Sequence, residues 1–177
     1  MQSQQNSAQR ALRDAFGAFA TGITIVTANG DRGQPVGLTV NSFSSVSLDP
    51  PLACWSLRNA SPLLQCFREG RSVAIHVLRD DQEHLARQFA GSAVDRFAGA
   101  DWQRGPDDVP FLANVLARFE CRIQSIVQAG DHRLLLARVL DYFSDSGSPL
   151  LFAGGRFRRL SESPVFDGND YYEGVWL

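Results

Sequence analysis

Residues 117–124 read Ala-Arg-Phe-Glu-Cys-Arg-Ile-Gln, and residues 133–143, beyond a Gly130-Asp131-His132 turn, read RLLLARVLDYF. In the first stretch Ala117, Phe119, Cys121 and Ile123 face one way, and Arg118, Glu120, Arg122 and Gln124 the other. A strict period of two is a β-strand with one solvated side. The second stretch is apolar on both faces. It reads as a strand buried on both sides or covered by a partner subunit.

Working outward, residues 23–28 (ITIVTA) are β-branched and read as a strand. Asn29-Gly30-Asp31-Arg32-Gly33 is a turn by composition, so residues 35–40 return antiparallel. Residues 41–51 (NSFSSVSLDPP) form a loop or interrupted strand. Residues 52–57 and 72–78 are further strands, and 149–153 with 156–159 form a final hairpin around Gly154-Gly155. Helices are expected from Ala11, where Leu12, Ala15, Phe16, Phe19 and Ala20 make an apolar stripe, with Gly22 as the stop. A short helix is expected at Ser61-Pro62, and another from Asp80, with Leu85, Ala86, Phe89 and Ala90 on one face. Residues 91–110 are irregular. Six or seven short strands, mostly joined by hairpins, favour a closed or partly closed antiparallel barrel over a doubly wound sheet. Residues 1–10 are expected to be a disordered or flexible tail and 11–160 one domain. Residues 161–177, with Tyr171, Tyr172 and Trp176, are expected to be a tail able to pack on a neighbouring subunit.

Composition narrows the function. The chain has 177 residues, 44% of them hydrophobic, which suits a folded domain and not a disordered one. No apolar run approaches the roughly 20 residues of a membrane span, and the first ten residues lack the apolar core of a signal peptide. A cytoplasmic protein is expected. The net charge of −2 argues against a binder of nucleic-acid backbone. All 17 basic residues are Arg, which excludes Schiff-base or P-loop lysine chemistry. Cys54, Cys66 and Cys121 are odd in number and lack zinc-ligand spacing, so they read as small core residues. No metal site is expected.

No GxGxxG, Walker or GxSxG motif is present. The anomaly is residues 39–47, where six of nine side chains are hydroxyls or amides. A flavin calls for such a surface: its pyrimidine edge pairs with donors and acceptors, and its phosphate needs several N–H and O–H groups. Ser56, Arg58 and Ser61 follow the next strand and could meet a phosphate, or could simply cap a helix beside a solvated Arg. Arg96, in the long loop, is a second anion candidate or a surface ion-pair partner of Asp95. Phe43, Phe89 and Phe97 read first as core packing.

The order of these segments carries more weight than their composition. Residues 16–27 (FGAFATGITIVT), 37–51 (GLTVNSFSSVSLDPP) and Gly130-Asp131-His132 together resemble the short-chain flavin reductase family, the reductase components of two-component flavin-dependent monooxygenases. The resemblance runs from about residue 12 to 160. It implies an FMN-binding split β-barrel, antiparallel and Greek-key-like with a few flanking helices, usually a homodimer. It implies reduction of FMN or FAD by NADH or NADPH, with reduced flavin diffusing to a monooxygenase. By the same resemblance Thr39, Val40, Asn41 and Ser42 face the isoalloxazine ring, and Ser45 and Ser47 lie near the ribityl chain or phosphate. His132 sits beside the nicotinamide, where it positions the rings or stabilises charge. His76 departs from the family, which often has Asn there. Two other readings remain open: a barrel that retains FMN and acts on another substrate, and a non-catalytic flavin- or haem-binding module.

Overall fold

The computed structural model describes residues 2–92 and 95–161. It begins with helix α1 (Gln2–Phe16), followed by strands β1 (Thr21–Gly22), β2 (Thr24–Asn29), β3 (Pro35–Val40), β4 (Ser44–Leu48), β5 (Pro51–Arg58) and β6 (Ser72–Val77). Helix α2 (Glu83–Ala90) comes next. Strands β7 (Trp102–Arg104), β8 (Pro110–Leu112), β9 (Ala117–Ala129), β10 (His132–Ser144), β11 (Leu151–Ala153) and β12 (Arg156–Arg158) complete the order. Seven strands form one antiparallel sheet in the order β3-β2-β6-β9-β10-β5-β4.

The sheet cannot lie flat. Its two edges, β3 and β4, are consecutive in the chain and joined only by residues 41–43. Laid flat at about 4.8 Å per strand, six gaps would part the edges by roughly 29 Å. From Val40 to Ser44 the backbone reaches at most about 15 Å. The sheet therefore curls until its edges approach. The core confirms it: Val40 of β3 and Ala53, Trp55 and Leu57 of β5 pack in one buried cluster with Val26, Ile75, Ile123 and Leu135. This is the split β-barrel. Its hairpins are interrupted by one large crossover, since β5 and β6 are separated in the sheet by β9 and β10.

The β9–β10 hairpin is the longest ladder, with Ala117 opposite Ser144 at one end and Ala129 opposite His132 at the other. On β9, Cys121 and Ile123 are buried and Arg122 and Gln124 exposed, as the alternation requires. On β10 only Leu135 and Ala137 are buried within the chain; Leu134, Leu140, Tyr142 and Phe143 reach solvent. A second core lies on the other face of β2 and β6. There Ile23, Ile25 and Leu78 meet Leu85, Ala86 and Phe89 of α2 and Phe97 of the loop.

Five local readings differ from the structure. α1 begins at Gln2 and not at Ala11, so residues 2–10, expected as a flexible tail, are helical. Four of these nine residues are Gln, a good helix former. α1 also ends at Phe16, where Gly17 donates to the Arg13 carbonyl, well before Gly22. Ser61-Pro62 opens no α-helix. The Ser61 hydroxyl accepts the Leu63 N–H (3.3 Å) in a tight turn that leads into a single 3₁₀ turn, Leu64–Cys66. α2 starts at Glu83 because Asp80 is held by β-type contacts: its N–H donates to the Ser148 carbonyl. The irregular 91–110 stretch contains β7, which pairs with β8. Most of the expected C-terminal tail, from position 162, lies outside the described residues.

His76 is fully buried, away from any cleft. Its Nδ1–H donates to the Ile25 carbonyl (3.0 Å) and its Nε2 accepts the Leu112 N–H (3.2 Å), tying β2, β6 and β8 together. Desolvation, aided by Arg118, holds its pKa down at about 3 despite the Ile25 hydrogen bond. The folded state thus keeps this ring neutral, while the unfolded chain protonates it near pH 6.5. Its contribution is fully present above pH 6.5 and is lost as pH falls towards 3, at about 1.4 kcal/mol per pH unit. Denaturation of wild type and His76→Asn between pH 7 and 4 should show the wild-type stability falling more steeply with acid. Parallel slopes would refute the assignment.

Candidate functional site at the barrel seam

The link that closes the sheet also builds a cleft. Its volume is about 480 Å³, and it is walled by the end of β3 with residues 41–42, the end of β5 with residues 60–62, the C-terminal end of α2, Arg96 and His132. Thr39, Val40, Asn41, Ser42, Ser56, Arg58, Ser61, Arg96 and His132 all line it. Ser45 and Ser47 do not; they sit on the edge strand β4, which carries a bulge between them. The structure thus brings together every candidate residue except these two.

Several hydroxyls are already committed to the frame. Thr39 Oγ1 donates to the Ala86 carbonyl (2.7 Å), which anchors α2 on β3. Ser42 Oγ accepts the Ser56 N–H (2.9 Å) and lies 3.4 Å from the Ser56 carbonyl, so it pins the seam to β5. Asn41 is exposed, and among the described residues its amide makes no side-chain hydrogen bond, which leaves both ends available to a ligand. Arg96 Nη1 donates to the Gly37 carbonyl (2.8 Å), and Gln88 Nε2 holds the Arg96 carbonyl (2.8 Å). That fixes one guanidinium at the cleft wall with donors to spare.

Arg58 stands opposite His132 in the β5–β10 register, so cation and imidazole share one rim. Among the described residues no Asp or Glu lines the cleft. Two guanidinium groups, an imidazole, hydroxyls and a free amide form a donor-rich, positively charged hollow suited to an anionic, hydrogen-bonding ligand.

Phe89 and Phe97 are core residues, with rings 4.9 Å apart edge to face, and Phe43 stacks on Phe119 at 5.7 Å. Phe89 nevertheless backs the cleft, and Gly37 lets it do so. A Cβ at Gly37 would come within 2.8 Å of the Phe89 ring. Gly37 and Asn59 were not legible as site residues: Gly37 reads as an ordinary position of a strand, and Asn59 acts through hydrogen bonds to the distant Gly130 and Asp131 carbonyls.

A curled antiparallel barrel thus carries at its seam an arginine-flanked cleft with no carboxylate among the described lining residues, an arrangement suited to an anionic small molecule. The chain belongs to the flavin reductase like domain family, whose model matches residues 16–161. It is 46% identical over 154 residues to the FMN reductase (NADH) SmoA of Agrobacterium fabrum, covering 86% of each chain. It is 39% identical over 162 residues to the reductase component of the flavin-dependent trigonelline monooxygenase of Acinetobacter baylyi, covering 91% of this chain and 51% of that one. It also matches a probable flavin reductase of Rhizobium meliloti at 45% identity, and spans only 48% of that relative's length. Among solved structures, the NADH:FAD oxidoreductase of Streptomyces globisporus, in complex with NAD and FAD fragments, superposes with a TM-score of 0.82. It is 38% identical, over 90% of this chain and 95% of that one.

Gly37→Ala should force the Phe89 ring aside and cost about 1–3 kcal/mol, as overpacking does. A melting temperature equal to wild type would show that the ring moves freely.

Proposed function

We propose that this protein is an NADH-dependent flavin reductase that reduces FMN or FAD by hydride transfer and releases the reduced flavin to a separate monooxygenase. The observation that carries the proposal is the cleft itself: among the described residues an unpaired amide, fixed hydroxyls and two guanidinium groups converge on one hollow with no opposing carboxylate. NADH is favoured over NADPH because the Agrobacterium and Streptomyces relatives are NADH enzymes by name. Those two relatives differ in flavin, FMN in one and FAD in the other, so both flavins stand in the proposal. The Acinetobacter relative, a reductase component, supports a monooxygenase as the consumer of reduced flavin. We also propose a cytoplasmic setting, where NADH is supplied.

Nicotinamide supplies a hydride and flavin accepts it, so the chain's task is to bind and orient both. In this reading Asn41 and the 39–42 backbone take the polar edge of the flavin ring. Arg58, Ser56 and Ser61 hold phosphate, and Arg96 adds a second anion contact. Ser45 and Ser47, away from the cleft lining, are the weakest members of the set. His132 faces the nicotinamide side.

A homodimer belongs to the same proposal. Leu48 is 71% and Tyr142 69% exposed, and Val46, Leu140 and Phe143 are exposed too, leaving large apolar side chains of β4 and β10 that a partner subunit would cover.

Purified protein should oxidise NADH faster when FMN or FAD is added, and no stimulation by either would refute the reductase reading. His132→Ala should lower kcat/KM for NADH by roughly 5- to 150-fold, the worth of one polar orienting contact. Asn41→Ala should chiefly weaken flavin binding. The reverse pattern would overturn this division of roles. Light scattering at micromolar concentration should give twice the monomer mass.

A further inference from the structure

His132 is the first residue of β10, and its ring borders the cleft. Its Nδ1 lies 2.8 Å from Asp131 Oδ1, on the side turned toward the hairpin loop. The loop carrying this pair is held from two sides. Asn59 donates its N–H to the Asp131 carbonyl (2.9 Å) and its amide to the Gly130 carbonyl (3.1 Å). Gln128 Nε2 donates to the Gly130 carbonyl (2.8 Å) and the His132 carbonyl (3.4 Å). Gly130 takes a φ of 61°, the left-handed turn that sets the approach of the next two residues. The backbone is therefore fixed without help from the Asp131 side chain, which is 91% exposed. The carboxylate packs on no core residue, and its contact is with the imidazole.

A carboxylate only accepts hydrogen bonds, so in the neutral ring the shared proton sits on Nδ1. Nε2 is then a bare acceptor. The two arginines of the cleft only donate, so an acceptor at this rim adds what they cannot offer: a partner for an N–H group such as the carboxamide of a nicotinamide.

We infer that Asp131 is a positioning residue: it locks His132 in the Nδ1–H form and presents Nε2 to the cleft as a hydrogen-bond acceptor. This rests on the reductase reading for its role in turnover, but the lock itself is a property of the free protein. The test is the long-range ¹H–¹⁵N spectrum of the histidine rings above their titration range, without flavin or nucleotide, with His132 assigned by its loss in His132→Gln. Wild-type His132 should show Nδ1 protonated. Asp131→Ala should shift the ring toward the Nε2–H form that free imidazole side chains prefer. Asp131→Glu should restore part of the wild-type signal. With the tautomer changed, kcat/KM for NADH should fall roughly three- to ten-fold, the worth of one hydrogen bond. Flavin affinity should change by less than about two-fold. A wild-type ring already in the Nε2–H form, or the same spectrum in wild type and Asp131→Ala, would overturn the lock. A changed tautomer with unchanged NADH kinetics would overturn the positioning role. A wild-type protein inert toward NADH with every flavin would instead remove the reductase reading, and the spectra would still decide the lock.

Discussion

Three residues, 41–43, bridge the two edges of a seven-stranded sheet, and the architecture answers to that short bridge. Because the chain cannot reach across a flat sheet, the strands must curl and their inner faces must share a core. The curling packs the end of β3 into one core with β5, and Ser42 of the linker, in line with the β4–β5 register, fastens to Ser56. Once those segments meet, Thr39, Asn41, Arg58 and Ser61 have no choice but to face one another. The fold makes the cleft as a by-product of closing itself.

Around that seam, two supports keep the walls rigid. α2 is held to β3 by the Thr39 hydroxyl and by Phe89 lying against the bare Cα of Gly37. The β9–β10 hairpin carries His132 to the opposite rim in a register set by a ladder of paired residues, with bulges near Leu136 and Val139 that absorb its twist. Polar side chains thus serve two masters. Thr39 and Ser42 spend their hydroxyls on the frame, while Asn41, Arg58 and Arg96 keep donors for a ligand.

Much of the barrel was legible because its strands alternate cleanly. The period of two in residues 117–124 survives as buried Cys121 and Ile123 between exposed Arg122 and Gln124. Residues 35–40 form β3 over that same span, since Pro35 and the Asn29 to Gly33 turn punctuate it. The helix ends were less legible. Gln2 to Arg10 have helical propensity but no apolar stripe, and a reading by stripe starts too late. His76 could not be placed from sequence, because a polar residue in an apolar strand gives no sign of whether backbone partners await it inside. The site residues were legible as a set through their order along the chain. Their partners were not, since Asn59 against Gly130 and Arg96 against Gly37 are contacts across many residues.

The placement of the cleft on the seam has a mechanical meaning. A ligand that touches residues 39–42 on one side and 56–61 on the other works as a clasp across the barrel's closing joint. By mass action it would add about 2.7 kcal/mol at a hundred times its dissociation constant, applied across that joint. A protein that takes up such a ligand and lets it go would be fastened and unfastened once per cycle, with its amides near Asn41 and Ser56 alternately sheltered from solvent hydrogen and opened to it.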